Sequence, residues 1–134
     1  MFYLKKYIES RSAVSVPRVD ERKNRIRKMK PNIQNILAEL RHRFEAIYGD
    51  RMVNMLLFGS QARGDATSES DIDVMVVLKG PVKPGDEISR TGEISAEISL
   101  KYDVVISCIF MSAERYATGR NSLIINIHRE GVSV

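Results

Sequence analysis

The residues predict an α+β (α/β) chain in which apolar strands alternate with amphipathic helices, and two observations carry that prediction. From Pro31 onward, Ile33, Ile36, Leu37, Leu40, Phe44 and Ile47 recur with the 3.6-residue spacing of a helix. After it come three runs of strand length, Met52–Phe58, Asp71–Leu78 and Tyr102–Phe110, separated by Gly- and Pro-bearing turns.

Each element follows from local chemistry. Pro31 suits the first turn of a helix, whose fixed φ it pre-sets, and Gly49 stops that helix after Ile47. Its apolar stripe should cover one face of a sheet, with His42 off the stripe and facing solvent. Met52–Phe58 reads as a buried strand that ends in Gly59-Ser60, and Gln61 to Asp65 as a short helix with amides directed at an anion. In Asp71–Leu78, Asp71, Asp73, Met75 and Val77 share one face while Ile72, Val74, Val76 and Leu78 share the other. Residues 79–85 form a loop, Asp86 caps a helix through about Ser99, and Tyr102–Phe110 is the third strand. A last helix from about Ser122 to Glu130 ends at Gly131. His128 and Arg129 on that helix are expected to be solvated or to compensate its dipole.

The chemistry concentrates in LFGSQARGDATSESDIDVMVVL, where ten residues separate Gly59-Ser60 from Asp71. Gly59 lets backbone amides approach an anion closely, the Ser60 hydroxyl adds a donor, and Arg63 offers a forked cation suited to phosphate oxygens. Asp71 and Asp73, two apart on a strand, project from one face and can hold a hard divalent cation against a nucleotide's phosphates. Asp is disfavoured in strands, and two on one face repel unless a cation compensates. A third carboxylate, Asp103, opens the third strand and can join them across the sheet. Arg63 could instead pair with Asp65, while Asp50, Asp65 and Glu69 read as turn or salt-bridge residues.

Composition sets the bounds. The 134 residues fit one domain able to bury its own core, and with 43% hydrophobic and 28% charged residues the chain is ordinary for a soluble globular protein. No apolar run approaches a membrane span, and MFYLKKYIESRSAV does not read as a signal peptide, so a cytoplasmic location with no membrane partner is expected. The lone Cys108 among apolar neighbours reads as a small buried hydrophobe. Residues 1–30 carry ten Lys/Arg against three Asp/Glu, so this segment is a basic extension and residues 31–134 form the domain. Its cluster Arg18, Arg22, Lys23, Arg25, Arg27, Lys28, Lys30 could bind RNA phosphates or an acidic partner, or simply be solvated. No aromatic interleaves it, so base stacking is not indicated.

Gly59-Ser60, the ten-residue interval, Asp71-Ile72-Asp73 and the later Asp103 resemble the nucleotidyltransferase superfamily built on the DNA polymerase β-type fold. GSQARGDATSESDID and the closing INIHREGVSV are similar to its minimal nucleotidyltransferase branch, small antitoxins paired with HEPN-domain toxins. The resemblance covers residues 31–134 and implies a mixed central sheet with helices packed on one face. It also implies an enzyme that uses ATP, a nucleoside triphosphate, with two Mg²⁺ ions. Asp71, Asp73 and Asp103 would be the catalytic and metal-binding carboxylates, and Gly59, Ser60 and Arg63 would hold the nucleotide. AMP would pass to a tyrosine hydroxyl on a cognate HEPN toxin, since 134 residues leave no room for an acceptor domain. RNA ends or a small hydroxyl compound as acceptor, and a non-catalytic antitoxin that acts by contact alone, are the alternatives.

Overall fold

The computed structural model of the protein describes residues 31–67 and 70–134, so the basic cluster of residues 18–30 and Glu69 lie outside it. Chain order runs α1 (Pro31–Tyr48), a 3₁₀ turn (Gly49–Arg51), β1 (Met52–Phe58), α2 (Ser60–Arg63), β2 (Ile72–Leu78), α3 (Pro84–Tyr102), β3 (Ile106–Ser112), α4 (Ala113–Thr118), α5 (Ser122–Glu130) and β4 (Val132–Ser133). The strands form one sheet in the order β3-β2-β1-β4. β1 is antiparallel to β2 and β4, whereas β2 and β3 are parallel, so the sheet is mixed as expected.

The alternation in β2 divides the core. Ile72, Val74, Val76 and Leu78 face α1 and α3, joining Ile36, Leu40, Phe44, Ile98 and Phe110. Met75 and Val77 face the other way, onto Tyr116 of α4 and Ile124 and Ile127 of α5. The two long helices therefore share one face, and the short C-terminal pair closes the second. Ile47, counted into the α1 stripe, is 37% exposed, and Tyr48 takes the buried position at 6%. Tyr48 lies inside because its hydroxyl has a partner there: it donates to Glu87 Oε1 at 2.8 Å. His42 is exposed, as its place off the stripe requires.

Several boundaries differ from the sequence reading: α2 spans Ser60–Arg63, β2 starts at Ile72 so that Asp71 precedes it, and β3 ends at Ser112. α3 begins at Pro84, whose ring suits the first helical position, so Asp86 sits in the first turn and caps nothing. The same helix runs on to Tyr102, and β3 starts only at Ile106. Asp103 therefore opens no strand: it is the C-cap of α3, left-handed at φ 53° and ψ 52°, a conformation Asp tolerates better than most residues. α4, capped by the Ser112 hydroxyl accepting from the Arg115 amide, and the two-residue β4 had no counterpart in the sequence reading. His128, expected in solvent, is 5% exposed and packs edge-on against Tyr116 with ring centroids 4.4 Å apart. α5 is short and must fill the second face, so its inward positions extend from Ile124 and Ile127 to His128.

Candidate active site

The candidate residues Gly59, Ser60, Asp71 and Asp73 gather where β1 ends and β2 begins. Phe58 closes β1 directly opposite Asp73, and the chain then turns on Gly59 at φ 73° and ψ −155°, a region open essentially to glycine alone. A β-carbon there would lie 2.5 Å from Asp73 Oδ2, so the turn is packed against that carboxylate. α2 follows as a single turn. The Ala62 and Arg63 amides bond the Gly59 carbonyl at 3.1 Å, and those of Gly64 and Asp65 bond the Ser60 carbonyl at 3.0 and 3.2 Å. The Ser60 and Gln61 amides take no backbone partner among the described residues, which leaves two donors at the head of the turn.

Asp73 is half-buried on β2 and Asp71 is exposed just ahead of it, on the face that carries Met75. Neither accepts a hydrogen bond or ion pair from a described residue. Burial pushes the Asp73 carboxyl above the ordinary carboxylate range, the neighbouring Asp71 charge pushes it further, and Arg63 opposes both. Two uncompensated carboxylates beside a turn with spare donors suit a divalent cation and the phosphates it accompanies. Asp71, Asp73 and the Gly59 turn thus fit the metal the sequence implies.

The other candidates are placed differently. Arg63 is exposed, with Nε donating to Asp65 Oδ2 at 3.2 Å and Nη1 to Glu130 Oε2 at 3.3 Å. Asp103 is exposed at the same end of the sheet, because parallel β2 and β3 start together with Ile72 opposite Ile106. It forms no metal-holding group with Asp71 and Asp73; among the described residues no three His, Cys, Asp or Glu converge in that way. Cys108 is partly buried against the α1 side, and desolvation raises its thiol to about 11, which fits an unreactive filler. Two neighbours were missed. Ser107 lies opposite Asp73 on β3, and Glu130 reaches Arg63 from the end of α5. Only the tertiary pairing brings either one there.

The sequence profile of the nucleotidyltransferase domain matches residues 33–134. The chain belongs to the nucleotidyltransferase family. Its relatives place it in the minimal branch, and it is an enzyme of nucleotidyl transfer. One Methanocaldococcus jannaschii protein, named a "putative protein adenylyltransferase", is 34% identical over 102 residues, covering 76% of this chain and 98% of its own length. A second protein of that organism and name is 35% identical over 86 residues, 63% of this chain and 79% of its own. A third is 34% identical over 80 residues, 59% of this chain and 54% of its own. Among the described residues of this nucleotidyltransferase, no helix is long and apolar enough to cross a membrane.

Proposed function

We propose that this nucleotidyltransferase moves AMP from ATP to a hydroxyl of a protein, in the leading reading a tyrosine of a cognate HEPN-domain toxin that it silences as an antitoxin. The observation that carries the chemistry is Asp73 packed against the Gly59 turn with Asp71 beside it, two carboxylates that accept no hydrogen bond from a described residue and so suit a cation. The protein acceptor rests on the names of the relatives.

In this reading the Ser60 hydroxyl and the amides of Ser60 and Gln61 grip the terminal phosphates, with Arg63 adding a guanidinium at the close of the turn. Asp71 and Asp73 would hold Mg²⁺, two ions by the resemblance, which would supply charge neutralisation to an in-line displacement at phosphorus. Asp103, at the same end of the sheet, supplies the third carboxylate and takes the proton of the attacking hydroxyl; its α3 cap position requires that it swing toward the site when substrates bind. The bond between the α-phosphorus and its bridging oxygen to the β-phosphate breaks as the acceptor oxygen attacks, and pyrophosphate leaves.

The test is label transfer from α-³²P-ATP with candidate partner protein, total RNA and hydroxyl compounds in parallel. AMP found by mass spectrometry on partner tyrosine, and abolished in Asp71→Ala, is the expected outcome. Label confined to RNA, and lost when residues 1–30 are removed, replaces the acceptor. Neutralisation of a partner by Asp71→Ala as effectively as by wild type replaces the enzyme with a contact-only antitoxin.

A further inference from the structure

Arg63 stands between two carboxylates of different origin. Asp65 is local, two residues along the same turn. Glu130 is sixty-seven residues away in sequence and arrives because α5 ends there and Val132 pairs with Leu57 of β1. The segment that carries Glu130 is thus tied to the strand that leads into Gly59. Both bonds to Arg63 are long, at 3.2 and 3.3 Å, whereas the surface pairs Arg41–Glu45, Arg43–Glu97 and Lys101–Glu39 close to 2.7, 2.7 and 2.6 Å. Charge-assisted bonds of full strength are of the shorter kind. The Arg63 and Glu130 side chains are also 44% and 38% exposed, so water competes with their bond. Arg63 closes the turn that Gly59 opens, and Gly59 packs against Asp73, so the guanidinium is carried beside the site.

We propose that Glu130 is a stand-in for phosphate on Arg63, occupying the guanidinium while the site is empty and reclaiming it as pyrophosphate leaves. The proposal rests on the reading above that Arg63 meets the phosphates of a nucleotide. A carboxylate and a phosphate oxygen are alternative acceptors for the same fork, and one cation does not serve both at full strength. A stretched, exposed pair yields to a polyphosphate that is held at the same time by the Ser60 turn, because its displacement costs little and the incoming contacts are several. Glu130 is therefore a positioning residue that acts through Arg63, setting nucleotide affinity downward and product release upward.

The experiment is calorimetry with MgATP, pyrophosphate and AMP on wild type, Glu130→Gln, Arg63→Gln and the double variant, at low and high salt, with thermal denaturation as the folding control. Glu130→Gln is expected to tighten MgATP and pyrophosphate about twofold to fivefold, the size of one exposed ion pair, and to leave AMP unchanged. The gain disappears in the Arg63→Gln background and shrinks at high salt. Glu130→Asp, which shortens the reach, moves affinity in the same direction and serves if the Gln variant does not fold. Unchanged or weaker MgATP binding in the Glu130 variants overturns the proposal alone. Failure of the wild type to bind MgATP or pyrophosphate at all overturns the nucleotide reading and the proposal together.

Discussion

Gly59→Ala separates the strain of the turn from its role in binding. The position lies at φ 73° and ψ −155°, where a side chain costs about 1–3 kcal/mol of strain, and its new methyl would stand 2.5 Å from Asp73 Oδ2. The carboxylate has to rotate away or the β1 end has to shift. Gly64→Ala is the matched control: its φ is 83°, yet a methyl there meets nothing within 4 Å, so it carries backbone strain without the clash. For a domain of this size, each 1 kcal/mol lowers Tm by about 4–8 °C, so both variants melt several degrees early. Only Gly59→Ala should also lose metal-dependent ATP binding, by about tenfold or more if the displaced carboxylate gives up about 1.4 kcal/mol of interaction. Differential scanning fluorimetry and calorimetry with MgATP measure the two effects separately. Wild-type MgATP affinity in Gly59→Ala would refute the reasoning, since it would show that the contact between the turn and Asp73 has no part in the site.

Other expectations follow from the same geometry. Removing Mg²⁺ with EDTA should abolish ATP binding, as should Asp71→Ala with Asp73→Ala, because a triphosphate does not approach two bare carboxylates; equal affinity in EDTA would reassign the site. Asp73→Asn should raise Tm in metal-free buffer at neutral pH while removing activity, since burial and Asp71 disfavour the charged form in the fold. The carboxyl binds its proton more readily folded than unfolded, so that gain should vanish as pH falls through the raised pKa. His128 is held below its ordinary pKa by burial, with the Arg120 charge adding to the effect and a hydrogen bond to the Tyr116 backbone opposing it. Its contribution is complete above the unfolded value of about 6.5 and is lost as pH drops toward the folded one, so His128→Phe should flatten the acid side of a Tm-against-pH curve. Glu87→Ala should cost about 1–3 kcal/mol in urea unfolding by leaving buried Tyr48 and half-buried Arg51 without their acceptor, with nucleotide affinity unchanged.

What was legible in the sequence was periodic or local. The α1 stripe, the two faces of β2 and the turn after β1 are written in residues a few positions apart, where spacing alone decides which side chains share a face. The approach of Glu130 to Arg63 was not, because it depends on a β4 of only two residues pairing with β1, and so short a strand carries no alternation to read. Asp103 misled for a different reason. TyrAspValVal has the look of a strand opening, but α3 extends its own period through Ile94, Ile98 and Tyr102, and the helix claims those residues first. His128 was judged by its polarity, whereas its depth was fixed by Tyr116, on a helix too short to announce itself.

The carboxylates at the two ends of the sheet are treated in opposite ways. At the end where β2 finishes, Glu87 is 3% exposed and both its oxygens are partnered: Tyr48 donates at 2.8 Å, Arg51 at 3.2 Å, and Arg51 also ties down the Lys79 and Pro81 carbonyls. A buried charge is tolerable there because each carboxylate oxygen has a donor and Arg90 adds a second cation at 3.6 Å. At the end where β2 starts, Asp71 and Asp73 sit side by side with no donor among the described residues, and the Arg63 guanidinium is turned toward Asp65 and Glu130. Arg51 precedes β1 and Arg63 follows it by one turn, so the same residue type stands near each set of carboxylates. The Arg63 cation points elsewhere, and in the proposed function the Asp71 and Asp73 pair would be relieved by an incoming ion.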